Sequence, residues 1–134
     1  MQPIFDNLVY LMQGSKKESH SADKKIDDLI GGRKIELEAI TYIRGRSIPR
    51  QFVIIDEAQN LTPHEVKTIV SRAGEGTKMV LTGDPFQIDN PYLDSSSNGL
   101  TYAAERLKSI DIHGHITLYK SERSKLAAAA AEYL

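Results

Sequence analysis

The 134-residue chain alternates between stretches of helical period, short apolar runs and polar connectors. In residues 1–13, Ile4, Leu8, Leu11 and Met12 recur at helical spacing, which predicts an amphipathic helix. Residues 14–25 are polar and aperiodic and are expected to form a flexible loop, followed by an apolar-acidic patch from Ile26 to Ile30 and a turn at Gly31-Gly32. Ile35, Leu37 and Ala39 then alternate with Glu36, Glu38 and Ile40, the period-two pattern of a half-buried strand. Residues 41–51 form a basic connector.

The centre of the chain is more regular. Phe52 to Ile55 is a continuously apolar run that stops at Asp56-Glu57, as a buried parallel strand would. Thr62, Pro63 and Glu65 together predict a helix start: a cap, a favoured first residue and a capping box. Val66, Ile69, Val70 and Ala73 line one face of that helix, and Gly74 stops it. A second buried strand, Lys78 to Leu81, ends at Thr82-Gly83-Asp84. A polar loop over 85–98 precedes a predicted helix from about Leu100 to Ile110, a strand from Ile116 to Tyr119 and an alanine-rich helix over 121–134. Strands alternating with helices imply an α/β fold, an open sheet parallel at its centre and flanked by helices.

Composition narrows the field of functions. With no cysteine there is neither a disulfide scaffold nor a thiolate metal site. No apolar run approaches the ~20 residues that span a bilayer, and no signal sequence is recognisable, so a cytoplasmic protein is expected. The 17 basic and 18 acidic residues nearly cancel, which disfavours a dedicated polyelectrolyte binder but leaves room for a local basic patch.

In open α/β sheets, sites lie outside the carboxyl ends of the strands. Both central strands deliver acids there: Asp56 and Glu57 after the first, Asp84 after the second. An apolar strand followed by Asp-Glu has the form of a Walker B segment, in which one acid holds Mg²⁺ and the next orients or deprotonates a water. The acidic dipeptide alone is equally compatible with a strand ending in solvated carboxylates. The combination Asp56-Glu57-Ala58-Gln59 and Thr82-Gly83-Asp84-Pro85-Phe86-Gln87, with one capped helix between, is harder to obtain from packing needs. A glutamine amide at that edge can donate to a γ-phosphate and accept from a water.

The stretch FVIIDEAQNLTPHEVKTIVSRAGEGTKMVLTGDPFQIDNP resembles the PhoH-type ATPases, relatives of the superfamily 1 helicases. QPIFDNL, YIRGRSIP, LDSSSNGL and SERSKLA fit the same family, and the branch in which a PIN-type ribonuclease domain precedes the PhoH domain is especially similar. The resemblance implies a RecA-like P-loop NTPase core and a Mg²⁺-dependent ATPase acting on RNA, assembled as a homo-oligomeric ring. It implies Asp56 as the magnesium acid, Glu57 as catalytic base, Gln59 and Gln87 near the γ-phosphate or its water, and Gly83-Asp84 in the segment that senses hydrolysis. Arg123 falls where helicase-like ATPases keep a phosphate-touching arginine, a role suited to a guanidinium fork.

Arg44, Arg46 and Arg50 precede the first central strand. They are candidates for an RNA backbone or a neighbouring subunit's nucleotide, with Gly45 permitting close approach; a solvated basic loop is the plainer alternative. His64, His113 and His115 are read as structural or solvated, and His113-Gly114-His115 lacks acidic or cysteine companions at ligand spacing, so no metal site is expected there.

The sequence contains no G-x-x-x-x-G-K-[ST] phosphate cradle. The family carries its cradle upstream of the QPIFDNL segment. The chain is therefore expected to be the carboxyl-terminal part of such a protein, missing one strand and its phosphate loop, with an unpaired sheet edge and no ATP hydrolysis in isolation. Two further readings stay open: a non-catalytic module binding RNA or a partner through its edge and basic segment, and a metal-dependent nuclease built on Asp56, Glu57 and Asp84.

Overall fold

The structure is a computed structural model that describes residues 2–13, 19–43 and 45–119, with Ser124, Leu126, Ala129 and Tyr133 beyond them. It divides into two compact units, Met1–Arg46 and Ser47–Leu134.

The first unit is helical. Helix α1 (Gln2–Gln13) packs against helix α2 (Ser19–Gly31), and Ile26 of α2 is wholly buried. The loop expected over 14–25 is therefore helical from Ser19 onward, and residues 14–18 lie outside the described set. Ile26, Leu29 and Ile30 stand at helical spacing, and the polar residues before them form the first turns of the helix. The strand expected at Ile35–Ala39 does not form; the segment is irregular and leads into a 3-10 turn, Ile40–Ile43. Ile35 and Leu37 are still half-buried and Glu36 and Glu38 exposed. The alternation thus sets the faces of an irregular segment, but no neighbouring strand among the described residues supplies a ladder.

The second unit is a β-α-β element with a helix added. Strands β1 (Phe52–Ile55) and β2 (Lys78–Leu81) pair in parallel, with Phe52 opposite Lys78 and Ile55 opposite Leu81. An isolated bridge between Ile48 and Ala73 extends the pairing towards the strand starts. Helix α3 (Pro63–Val70) makes the crossover. Its capping box forms as expected: the Glu65 amide donates to Thr62 Oγ1 at 3.2 Å and the Thr62 amide to Glu65 Oε2 at 2.8 Å. Helix α4 (Gly99–Leu107) packs on α3. The core comprises Ile48, Ile55, Ala58, Val66, Ile69 and Ala103.

Gly99 sits where α4 meets α3, and its amide donates to Leu61 O at 2.7 Å. A Cβ there would lie 2.4 Å from Val66 Cγ2 and 2.8 Å from Leu61 O, so only glycine permits this approach.

The strand expected at Ile116–Tyr119 is absent: the segment is irregular, and Ile116, Leu118 and Tyr119 are exposed, with no strand beside them among the described residues. Leu126, Ala129 and Tyr133 are helical; most of the predicted last helix lies outside the described residues. Among the described residues no helix is long and apolar enough to cross a membrane.

Candidate functional site

Parallel pairing in register brings the carboxyl ends of β1 and β2 to one edge, and the two turns that follow are tied together there. The Thr82 amide donates to Ile55 O and the Ala58 amide to Thr82 O, each at 2.9 Å, so the ladder continues past both strands. Asp56 is exposed, and its Oδ1 accepts from Thr82 Oγ1 at 2.8 Å and from the Glu57 amide at 3.1 Å. Thr82 is not among the residues the sequence singles out for chemistry. A threonine ending a β-strand is ordinary in a sequence, and only the register shows it facing the acid on the neighbouring strand.

Glu57 adopts a left-handed backbone, φ 53° and ψ 39°, which turns the chain sharply into a 3-10 turn, Ala58–Asn60. Gln59, on that turn, is wholly buried. Its Nε2 donates to Glu57 Oε2 and to Gln87 O, the latter at 2.9 Å, and its Oε1 accepts from the Asp84 amide at 3.2 Å. Gly83 lies against this amide: a Cβ at position 83 would fall 2.0 Å from Gln59 Oε1. Asp84 in turn holds Gln87, whose Nε2 donates to Asp84 Oδ2 at 2.7 Å, while the Phe86 amide donates to Oδ1 at 2.9 Å. Gln87 is exposed. Asn60, a residue that sequence reasoning passes over, staples the loop's far end, its Oδ1 accepting from the Asp89 amide at 2.7 Å and its carbonyl from Asn90 Nδ2 at 3.3 Å.

Further along, Asp94 Oδ1 accepts from the Ser96 hydroxyl and from the Ser96 and Ser97 amides. These hydrogen bonds, the Ser96 side chain foremost, lower the Asp94 pKa from 3.8 to about 2. The buried Asn98 completes the loop by capping α4, accepting from the Thr101 amide at 2.9 Å.

The structure thus gathers Asp56, Glu57, Gln59, Gly83, Asp84 and Gln87 at one edge. Arg46 belongs to the first unit and pairs with Glu38 at 3.3 Å on the surface. Arg50 is exposed, with a left-handed backbone (φ 51°) whose amide donates to Glu75 O. Arg44 and Arg123 lie outside the described residues.

The donor set suits a magnesium ion held largely by water and phosphate. Mg²⁺ takes oxygen ligands, commonly one or two carboxylates with the rest from water and substrate. Asp56 Oδ2 has no hydrogen bond among the described residues. Among those residues no group of three or more His, Asp or Glu side chains gathers to hold a metal, so Asp56, Glu57 and Asp84 do not make a nuclease-type carboxylate cluster.

Fold and site together define part of a P-loop NTPase-type α/β core. The PhoH-like protein family matches residues 1–133, and the chain belongs to it. It is 57% identical over 135 residues to the protein PhoH2 of Bacillus subtilis and 36% identical over 133 residues to the PhoH2 of Mycolicibacterium smegmatis. A PhoH-like protein of Synechocystis is 38% identical over 83% of the chain. The match covers 29% of the Bacillus protein and 28% of the mycobacterial one, so the chain spans less than a third of these relatives.

Proposed function

We propose that this chain supplies the magnesium acid, the catalytic base and the γ-phosphate sensor of a Mg²⁺-dependent ATPase, with the phosphate cradle furnished by a segment outside these 134 residues. The observation that carries the reading is the linked edge in which Asp56, Glu57, Asp84 and Gln87 stand on adjacent parallel strand ends, joined through Thr82 and Gln59. Asp56 would hold the magnesium ion, the Thr82 hydroxyl engaging Oδ1 and so fixing which oxygen the carboxylate offers. Glu57 orients and deprotonates the attacking water. Gln87 presents its amide to the terminal phosphate, anchored by Asp84, and Arg123 adds a cation to the transferred group. Magnesium held by Asp56 would supply positive charge against the terminal phosphate. In the whole protein this cycle is coupled to RNA unwinding or processing in a ring of identical subunits, with Arg44, Arg46 and Arg50 contacting the RNA backbone or the adjacent subunit.

A chimera tests the reading, with these residues replacing the matching 29% of the Bacillus PhoH2 chain. The chimera should hydrolyse ATP only with Mg²⁺, and Asp56→Asn or Glu57→Gln should lower turnover by roughly 100-fold or more, as expected when a group acting on the transferred phosphoryl or its water is lost. A folded chimera without hydrolysis, or one indifferent to Asp56→Asn, sinks the proposal. The 134-residue chain alone, which contains no G-x-x-x-x-G-K-[ST], should show no turnover in a phosphate-release assay.

A further inference from the structure

We infer that Gln59 is a positioning residue that couples the carboxylate of Glu57 to the Asp84–Gln87 loop, acting through these neighbours and not on ligand itself. A glutamine amide has two N–H donors and one carbonyl acceptor. At Gln59 all are committed inside the protein: the donors to Glu57 Oε2 and Gln87 O, the carbonyl to the Asp84 amide. The side chain is wholly buried, so water offers no substitute partner.

The partners also fix the amide's orientation. Turning it over would set its carbonyl against a carboxylate and another carbonyl, and its NH₂ against an N–H. The absence of a Cβ at Gly83 gives Gln59 Oε1 the space to lie against the loop backbone. Gln59 therefore behaves as a clasp with two ends. Moving Glu57 removes an acceptor from a buried donor, and the amide can recover only by letting go of Asp84 or Gln87. Asp84 is also the residue that holds the Gln87 amide. The chain of contacts Glu57–Gln59–Asp84–Gln87 thus transmits a displacement of one end to the other.

The inference rests on the proposed roles of Glu57 and Gln87 for its biological meaning, but its test needs no nucleotide, so the two can fail separately. Amide hydrogen exchange is measured by NMR on the full 134-residue chain for Asp84, with the Thr82 amide on the ladder as internal reference. Glu57→Ala should speed exchange at Asp84 by roughly fivefold or more relative to Thr82, the scale of losing one net hydrogen bond, and shift the Gln59 side-chain amide resonances. Glu57→Gln, which keeps an acceptor oxygen, should return the ratio to within about twofold of wild type. Gln59→Leu should raise the ratio by roughly tenfold or more, since the Asp84 amide then loses its acceptor outright. An unchanged Asp84-to-Thr82 ratio in Glu57→Ala overturns the coupling, even if Gln59→Leu loosens the loop. Should Gln59→Leu fail to fold, the Glu57 pair decides the matter, because that side chain is exposed.

Discussion

Glu57 carries the strain of the site. A left-handed backbone costs a residue with a Cβ about 1–2 kcal/mol, and here it is held by the ladder bonds on either side of the turn. Asp56 and Glu57 are legible in the sequence because an apolar run that stops at two acids marks a strand end within six consecutive residues. Thr82 and the burial of Gln59 are not, because each depends on which strand lies alongside. Thr82→Val keeps the shape of the side chain and removes its hydroxyl. In the chimera it should raise the Mg²⁺ concentration for half-maximal hydrolysis by about tenfold, the usual scale for losing a partner of a metal-holding carboxylate, and Thr82→Ser should restore it. Positions 59 and 83 share one small volume. Gly83→Ala should destabilise the protein by about 1–3 kcal/mol in urea unfolding. The double variant Gly83→Ala with Gln59→Ser should cost about 1 kcal/mol less than the sum of the two single changes; strict additivity would show that the two positions do not compete for space.

The elements follow the sequence well where local chemistry decides and poorly where a distant partner does. The cap, proline and acid that open α3 are all within four residues, and β1 and β2 are short, mainly apolar runs, so their positions are readable; the expected burial of β1 is not met, since Phe52 and Ile54 on one face are exposed. Segments 35–39 and 116–119 have strand-like sequence without a neighbouring strand among the described residues, and neither forms one. At α4 the decisive feature is a glycine. Gly99→Ala should lower stability by about 3 kcal/mol, since its methyl would meet the backbone of Leu61 as well as Val66, whereas Gly114→Ala, with open space around it, should stay within about 0.5 kcal/mol. The loop that caps α4 is acid-sensitive. Because folding lowers the Asp94 pKa to about 2, its contribution is fully present above the unfolded value near pH 4 and is lost as pH falls towards 2. Amide exchange at Ser96 and Ser97 should accelerate across that window, beyond the intrinsic pH trend, and Asp94→Asn should flatten the response.

At the scale of the whole molecule, the two units differ in what holds them. Ile26 is wholly buried within Met1–Arg46, whereas Ser47–Leu134 has a core of its own and contains the hydrogen bonds of the site edge. The family and the α/β class can be read from the sequence because the motifs that define them fall mainly inside that second unit. The division also sets an order of opening. Two helices of 12 and 13 residues are marginal on their own, and such a unit opens at lower free energy than one whose strands and helices share a core. In a protease digest at rising urea, cuts should accumulate first within residues 1–46 and leave a resistant product beginning near Ser47. The edge that carries the candidate site would then outlast the helices that precede it, so wear and tear at the amino-terminal end would be separable from loss of the site.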